Sequence, residues 1–184
     1  MAALHRVKME AIPEKENLTW AGKWNQFTLY QHGERLESAC RLLPKTARVI
    51  ETLTEATSMV FGQSKLSLMS PKTHAKPHHG TTNARVRIHL GISGFEEASI
   101  RVLNETRGWS KEKCIAFDDS FEHEVWHNGT EDRVVLIVDI WQPALSHEER
   151  RGMITSDEDN VAGSLDLLKR YDHQISLRDA AGLG

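Results

Sequence analysis

The stretch from Phe117 to Trp141 constrains this chain most strongly. It passes from a turn-like Asp-Asp-Ser through acidic and aromatic residues around His123 to an Asn-Gly turn signal. A β-branched run, Val-Val-Leu-Ile-Val-Asp-Ile-Trp, then follows Arg133. The pattern predicts two neighbouring strands, with His123 at the edge of the first and Arg133 at the start of the second. A histidine can bind a metal, and an arginine can hold the far carboxylate of a dicarboxylate bound to that metal.

Arg133 also has an ordinary interpretation, as a charged residue that protects an exposed strand edge. Strand alternation places it on one face with Val135 and Ile137, opposite Val134 and Leu136. The functional interpretation requires the face of Arg133 to point into the protein.

Shorter patterns predict the remaining elements. Apolar residues three to four apart favour helices, and strict alternation favours strands. The predicted elements are a strand over 20–30, helices over 34–43 and 46–53, strands near 65–69, 85–90, 99–103, 114–117 and 134–141, a helix opened by a capping box at Ser146, and another helix over 165–171. Several short strands after a helical N-terminal part predict a mainly β fold with flanking helices, a barrel or jelly roll.

A chain of 184 residues is long enough for one domain with a substantial core. We predict an extended or partly ordered lead-in at 1–19, the main domain at 20–151 and a C-terminal helical tail at 152–184. The end of that tail, 179–184, is expected to fray.

Charge and composition exclude several classes of function. The net charge of −3 gives no basic field for nucleic acid or an anionic membrane. The longest apolar run, 134–140, is too short to cross a bilayer, and the N-terminus does not resemble a signal peptide. Cys40 and Cys114 form no CxxC pair and are expected to be reduced and largely buried. We therefore expect a cytoplasmic protein with no transmembrane segment and no nucleic-acid partner.

Two of the ten histidines stand out by their positions. His78 lies in a turn-like Pro-His-His-Gly, and alone it would fit an ordinary solvated loop. His123 follows 45 residues later, so the two mark strand boundaries with three strands expected between them, which would bring them to one mouth of a small barrel. Two histidines and a carboxylate bind Fe(II) in non-haem oxygenases, but the expected carboxylate position holds Gly80. Five other histidines in polar surroundings are expected at the surface, namely His5, His32, His127, His147 and His173.

Further motifs follow one another along the chain on both sides of these histidines. They are Ser67-Leu68-Met69, Pro77-His78 with Gly80, Arg85, Arg87-Ile88-His89-Leu90-Gly91, Asn104-Glu105-Thr106 before Trp109, the block Phe117 to Trp126, Arg133, Asp139 to Pro143 and Arg150-Arg151. Together they resemble the catalytic domain of the aspartyl/asparaginyl β-hydroxylase family over residues 20–151. The resemblance implies a double-stranded β-helix and a dioxygenase that depends on Fe(II), 2-oxoglutarate and O2.

The resemblance also implies roles for particular residues. Two histidines without a carboxylate would hold the iron, so His78 and His123 become the ligands and the glycine at position 80 agrees with the family. Asp119 would accept a hydrogen bond from a water on the iron. Arg85 and Arg87 would meet an acidic substrate side chain.

Further positions would bind the cosubstrate. Ser67 and Arg133 would hold the distal carboxylate of 2-oxoglutarate, while His89 and Arg87 would steady its metal-chelating end. Trp24 would form a wall of the pocket.

The sequence departs from the family at positions that bear on loops and on the compartment. Lys72, Lys111 to Lys113 and Gln142 replace residues usual in the family. In family members that reside in the endoplasmic reticulum, the cysteine at position 40 forms a disulfide bond with a cysteine seven residues later. This chain has Ala47 there, so the bond cannot form.

The expected reaction is hydroxylation of an unactivated carbon, first of all Cβ of Asp or Asn in a peptide or protein, with release of succinate and CO2. A small-molecule or acyl-chain substrate is the alternative. A halogenase, with chloride in the space beside Gly80, and a non-catalytic binding module are more remote alternatives.

Overall fold

The computed structural model describes residues 2–156 and 161–181, in which twelve strands and six helices follow one another. The strands are β1 (Ile12–Pro13), β2 (Thr19–Ala21), β3 (Trp24–Gln31), β4 (Glu34–Arg35), β5 (Gln63–Met69), β6 (Thr73–His78), β7 (Arg85–Ser93), β8 (Ala98–Val102), β9 (Glu105–Gly108), β10 (Cys114–Phe117), β11 (His123–His127) and β12 (Arg133–Trp141). The helices are α1 (Ala2–Glu10), α2 (Glu37–Leu42), α3 (Pro44–Glu51), α4 (Thr54–Thr57), α5 (His147–Ile154) and α6 (Val161–Ala180).

The strands form two antiparallel sheets. The first has the order β1-β3-β5-β12-β7-β10, with β4 paired to β3, and the second has the order β2-β6-β11-β8-β9. From β5 onward the chain crosses repeatedly between the sheets, so that β5, β7, β10 and β12 share one sheet and β6, β8, β9 and β11 share the other. This arrangement confirms the predicted mainly β fold with flanking helices, a double-stranded β-helix of the jelly-roll type.

Strand β12 separates two layers of the core. Val134 and Leu136 pack with the residues of α2 and α3 on the outer face, while Val135 and Ile137 pack in the space between the sheets. The predicted alternation is therefore confirmed, with both faces covered. Each aliphatic side chain that is fully buried there contributes about 1.5–3 kcal/mol to folding.

The N-terminal lead-in was predicted to be extended or partly ordered, and this is wrong for its first part. Residues 2–10 form helix α1, whose Val7 is fully buried beside Leu29 and Ile50. Leu4 and Val7 alone make too short an apolar stripe to announce a helix in the sequence. Packing against the outer face of the first sheet decides its conformation.

The strand predicted over 20–30 divides at Gly22. This glycine has a φ of +76°, and a Cβ there would collide with Thr73. Residues before it join the second sheet as β2, and residues from Trp24 onward join the first sheet as β3. Both sheets therefore receive a strand from this segment.

The C-terminal part packs onto the main domain. Ser146 and Glu149 form the predicted capping box at the start of α5. In α6, Leu167 and Tyr171 are buried in a cluster that includes Trp141. The predicted division at residue 151 stays a prediction, and of the segment expected to fray, 182–184 lie outside the described residues. No helix in the described ranges is long and apolar enough to cross a membrane.

Two predictions of burial are wrong. Cys40 is buried as expected, but Cys114 is exposed because it points away from the core on the edge strand β10. His127, expected at the surface, is 1% exposed and bonds to the backbone oxygen of Glu131 at 2.6 Å. The turn after β11 folds back over its ring, which the polarity of the neighbouring residues did not reveal.

Candidate active site

The two predicted ligand histidines lie side by side. His78 ends β6 and His123 begins β11, and the register of the two strands pairs them directly. Their ring centroids are 4.2 Å apart. Four strands, β7 to β10, lie between them in the chain rather than the three expected. The two imidazoles nevertheless lie together at one end of the barrel, as predicted.

Hydrogen bonds to the backbone define the tautomer of both rings. Nδ1 of His78 lies 2.6 Å from the carbonyl oxygen of Lys76, and Nδ1 of His123 lies 2.9 Å from that of Phe121. A carbonyl only accepts, so Nδ1 donates in each ring and Nε2 carries a free lone pair. Burial lowers the pKa of His78, and burial together with the neighbouring His78 lowers the pKa of His123 to about 4. Both rings are therefore neutral near pH 7, the form that binds metals.

The described residues offer no third ligand of the usual kind. Within 2–156 and 161–181, no group of three or more His, Cys, Asp or Glu side chains could hold a metal ion. The position where a carboxylate would stand is Gly80, and a Cβ there would collide with the carboxylate of Asp119. Asp119 therefore requires a glycine at this position, which accounts for the missing carboxylate.

A narrow inner cavity adjoins the histidine pair. It is lined by Trp24, Ser67, Met69, His78, Arg87, His89, His123, Val125, Arg133 and Ile137. The structure thus brings all the predicted cosubstrate residues together around one space. Its free volume is about 20 Å³, room for roughly one water, so a dicarboxylate could enter only if side chains move.

Arg133 is the least compensated charge in this cavity. It is 1% exposed, and its Nε and NH1 have no hydrogen-bond partner within 2–156 and 161–181. Among the described residues it has no carboxylate partner, and burial lowers its pKa to about 9. Its guanidinium carbon lies 4.0 Å from the centre of the Trp109 ring. The interpretation as an exposed strand-edge residue is therefore wrong.

Ser67 and Trp24 form one wall of the same cavity. The indole nitrogen of Trp24 donates to Oγ of Ser67 at 3.0 Å. The serine hydroxyl has then accepted one bond and still carries a proton to donate. An anion at the guanidinium of Arg133 would therefore find a second donor on the neighbouring strand.

His89 is a second unsatisfied group in the cavity. It is 4% exposed, and neither ring nitrogen has a hydrogen-bond partner in the part of the chain that the structure describes. Its ring lies parallel to that of Trp109, with centroids 5.9 Å apart, and edge-on to Phe117 at 5.1 Å. Burial and the charge of Arg133 lower the pKa of His89 well below its usual value, so the imidazole is neutral. Its nitrogens remain available to a polar ligand.

The two arginines predicted to meet a substrate are already paired. Arg85 makes two hydrogen bonds to Asp119, of 2.9 and 2.7 Å. Arg87 makes two to Asp139, of 2.7 and 2.9 Å, and its NH1 lies 3.0 Å from Asp119. Burial disfavours the charged form of Arg87, but the negative charge of Asp139 favours it more strongly, so the pKa of Arg87 is raised. Burial likewise opposes the charge of Asp119, but the bonds from Arg85 lower its pKa. Asp119, predicted to act on a water near the metal, thus anchors both arginines.

Sequence reasoning missed four residues of the site. Asp139, noted only as a motif member, is fully buried and stands opposite Arg87 in the β7–β12 register. Lys65 donates to Gln26 at 2.8 Å and to Gln63 at 2.5 Å. It could have been found from the sequence, because it stands two residues before Ser67 and so shares its face of β5. The others are the aromatic residues Trp109 and Phe117, which were noted only as motif members.

A wider pocket opens outward from the inner cavity. It has a volume of about 340 Å³ and shares Trp24, His78 and Arg87 with the inner cavity. Its floor includes Arg85 and Lys65, and its rim carries charged residues of both signs, namely Glu14, Lys15 and Glu16. Burial and the charge of Arg87 lower the pKa of Lys65 to about 8.

Several known proteins are similar to this chain. Residues 1–143 match the family model described as aspartyl/asparaginyl beta-hydroxylase. The human aspartyl/asparaginyl beta-hydroxylase is 46% identical over 154 residues, which are 83% of this chain and 20% of that protein. The human aspartate beta-hydroxylase domain-containing protein 2 is 36% identical over 143 residues, 76% of this chain and 39% of that protein. The chain thus spans between a fifth and two-fifths of the length of these two relatives.

Solved structures give more distant likenesses. A predicted oxalate decarboxylase from Thermotoga maritima aligns with a TM-score of 0.44 and 11% identity, over 73% of this chain and 96% of that one. A cupin domain of a transcriptional regulator from Enterobacter cloacae aligns with a TM-score of 0.40 and 10% identity, over 45% of this chain and 83% of that one. Likenesses this distant carry no argument about the site. The family match and the identity over most of the chain place this protein in the aspartyl/asparaginyl β-hydroxylase family.

Proposed function

We propose that this chain is a dioxygenase that uses Fe(II) and 2-oxoglutarate to hydroxylate Cβ of Asp or Asn residues in a polypeptide. The observation that carries the proposal is Arg133, a buried guanidinium with no carboxylate partner among the described residues, in the same cavity as two neutral histidines with free Nε2 atoms. A buried charge without a partner is costly, so a dicarboxylate ligand is the natural way to satisfy it.

The side chains present fit an iron and its dicarboxylate cosubstrate. His78 and His123 would hold the metal, with their Nδ1 bonds to backbone carbonyls keeping the rings oriented. Arg133 would form a bidentate pair with the distal carboxylate, and Ser67 would donate to it. When bound, Fe(II), 2-oxoglutarate and O2 supply the oxidising power for C–H hydroxylation, with succinate and CO2 as the other products. The protein supplies binding, orientation and exclusion of water.

The outer pocket would receive the substrate side chain. Three cations, Arg85, Arg87 and Lys65, stand against the two carboxylates of Asp119 and Asp139, which leaves one positive charge in excess. A carboxylate or carboxamide could bond to donors that the internal pairs leave free. The pairs hold both guanidinium groups in fixed positions, so the substrate would meet donors that need no reorganisation.

The halogenase alternative has less support. It would need space for a chloride beside Gly80, and the carboxylate of Asp119 lies against that glycine. The space beside Gly80 is therefore already occupied. A non-catalytic role would be favoured by loss of Arg133 or of either histidine, and all three are present.

The experiment begins with anaerobic titration of Fe(II) and 2-oxoglutarate into the full chain. Succinate release is then measured in air with Asp- and Asn-containing peptides, with matched peptides that carry Ala at the target position, and with acyl-chain substrates. Peptide-dependent succinate together with a mass gain of one oxygen on Asp or Asn would support the proposal. Turnover of acyl chains alone would replace the substrate class, and failure to bind 2-oxoglutarate would overturn the cosubstrate.

A further inference from the structure

An apolar pocket of about 390 Å³ lies beside the candidate site and is separate from both cavities described above. It opens between β8 and β9 of one sheet and β10 of the other. Because β9 and β10 are the last strands of their sheets, the two sheets do not meet here. Its lining residues are Ile100, Val102, Leu103, Asn104, Glu105, Arg107, Ile115, Ala116 and Phe117.

Strand register places this pocket one strand away from the candidate site. Val102 stands opposite His123 in the β8–β11 pair. Ile115 stands opposite His89, and Phe117 opposite Arg87, in the β10–β7 pair. Neighbouring strands are about 4.8 Å apart, so each of these lining residues adjoins a residue of the site.

Phe117 is the boundary between the two spaces. Its ring lines the apolar pocket and also makes edge contacts with His123, at a centroid distance of 5.5 Å, and with His89, at 5.1 Å. The ring is half-buried on the last strand of its sheet. A rotation of this one side chain would join the pocket to the histidine pair.

The chemistry of the pocket selects a small apolar ligand. Ile100, Val102, Ile115 and Phe117 belong to the core packing between the sheets and offer no side-chain hydrogen bond. The polar residues are exposed at the rim, where Arg107 and Glu105 pair with each other at 2.7 Å. Enclosed apolar cavities take up gases such as xenon, and the apolar floor of this solvent-open pocket offers a small apolar molecule the same kind of contact. A charged or hydrogen-bonding ligand would leave its polar groups unsatisfied on this floor.

We propose that this pocket collects dioxygen and passes it by Phe117 to the histidine pair. The inference rests on the proposed function, which requires O2 as a reactant while the outer pocket takes the peptide and the inner cavity takes 2-oxoglutarate. With both of those filled, the side of Phe117 offers O2 an apolar approach to the histidine pair. O2 needs no hydrogen bonds and fits such an approach.

The first test uses the metal-free full chain and dissolved O2 as the probe. Paramagnetic O2 shortens the NMR relaxation times of methyl groups where it dwells. We expect the strongest effect at Ile100, Val102 and Ile115, and a weaker effect at Ile100 and Val102 in Ile115→Trp, whose larger side chain narrows the pocket. The matched control is Ile92→Trp, since Ile92 is 46% exposed on β7 and lies outside the pocket lining. An effect no larger at the pocket than at exposed methyl groups would overturn the proposal.

The second test measures turnover with varied O2. Ile115→Trp is expected to raise the KM for O2 several-fold, while the affinity for 2-oxoglutarate and kcat at saturating O2 stay near wild type. Val102→Leu narrows the same pocket by a smaller change on its apolar floor and keeps the test valid if the tryptophan variant does not fold. An unchanged KM for O2 in a folded, narrowed variant would overturn the route.

The two proposals fail in different ways. If wild-type protein neither binds 2-oxoglutarate nor makes succinate, the proposed function is wrong whatever the relaxation data show. If it does both, and narrowing the pocket lowers peptide affinity without affecting the KM for O2, the pocket belongs to the substrate instead.

Discussion

The guanidinium of Arg133 lies against the face of Trp109, 4.0 Å from the ring centre, where both side chains are buried. The same ring lies parallel to His89. One indole therefore positions the two least satisfied groups of the inner cavity. The sequence indicated Arg133 and His89, but nothing in it connected them through Trp109.

Replacing Trp109 should weaken cosubstrate binding. A cation–π contact contributes about 0.5–2 kcal/mol. Trp109→Leu should therefore lower 2-oxoglutarate affinity by about twofold to thirtyfold, at about 1.4 kcal/mol per tenfold. Trp109→Phe keeps a ring face and should lose less. Calorimetric titration of the three proteins checks this, with thermal unfolding as the control for folding. Equal losses in the two variants would show that the ring face does not matter.

Replacing Arg133 should have a larger effect. Removing one partner of a buried charge pair costs about 2–5 kcal/mol. That is on the order of thirtyfold to several thousandfold in 2-oxoglutarate affinity for Arg133→Ala. Arg133→Lys keeps the charge but not the two-pronged guanidinium, so its 2-oxoglutarate affinity should lie between those of wild type and Arg133→Ala. Arg48→Ala, at an exposed helix position, is the control. Unchanged affinity in Arg133→Ala, with iron binding measured separately, would remove this residue from the site.

Asp139 should matter for stability, because it compensates a buried arginine. Asp139→Asn removes the negative charge and one of the two acceptor oxygens that face Arg87. Breaking a buried pair in this way costs about 3–5 kcal/mol. Asp132→Asn, which breaks the partly exposed pair with Lys8, should cost no more than about 1 kcal/mol. Urea unfolding near pH 7 compares the two. Similar costs for both variants would contradict the role assigned to Asp139.

The lowered pKa of Lys65 predicts that substrate binding depends on pH. Its pKa in the folded protein is about 8, against 10.5 for an ordinary lysine, so the side chain is charged below about pH 8 and neutral above. Affinity for an Asp-containing peptide should therefore fall as pH rises through 8. Between pH 8 and 10.5 the unfolded chain binds more protons at this group, so its contribution to the free energy of unfolding rises with pH.

The measurement is peptide affinity across pH 7–9 in matched variants. Lys65→Gln keeps a donor to Gln26 and Gln63 but should flatten the profile and bind the acidic peptide more weakly at pH 7. Lys23→Gln, at an exposed position, should behave like wild type. A profile in Lys65→Gln that still falls at pH 8 would assign the dependence to another group.

Local patterns in the sequence determined several elements of the fold. The β-branched run after Arg133 predicted a strand, and β12 is a strand whose two faces the structure shows to be covered. Alternation on β7 placed Arg85, Arg87 and His89 on one face, and the capping box opened α5 at Ser146. These features depend on neighbours within a few residues, which the sequence shows directly.

Features that depend on contacts between distant segments were not predictable in this way. Helix α1 forms because Val7 is buried by residues of β3 and α3. His127 is buried where β11 runs between β6 and β8, and Cys114 is exposed because its strand lies at an edge of its sheet. Burial of a single side chain is set by what the rest of the chain places over it.

The same division applies to the candidate site. Residue types and motifs in the sequence indicated the two histidines and the arginines, and the family resemblance suggested their roles. Only the tertiary structure decided which arginine remains without a carboxylate. The register of β12 against β7 puts Asp139 opposite Arg87, and the turn before β11 brings Asp119 to Arg85. Arg133 stands opposite Met69 instead, so its charge has no such partner among the residues that the structure describes and is available to a ligand.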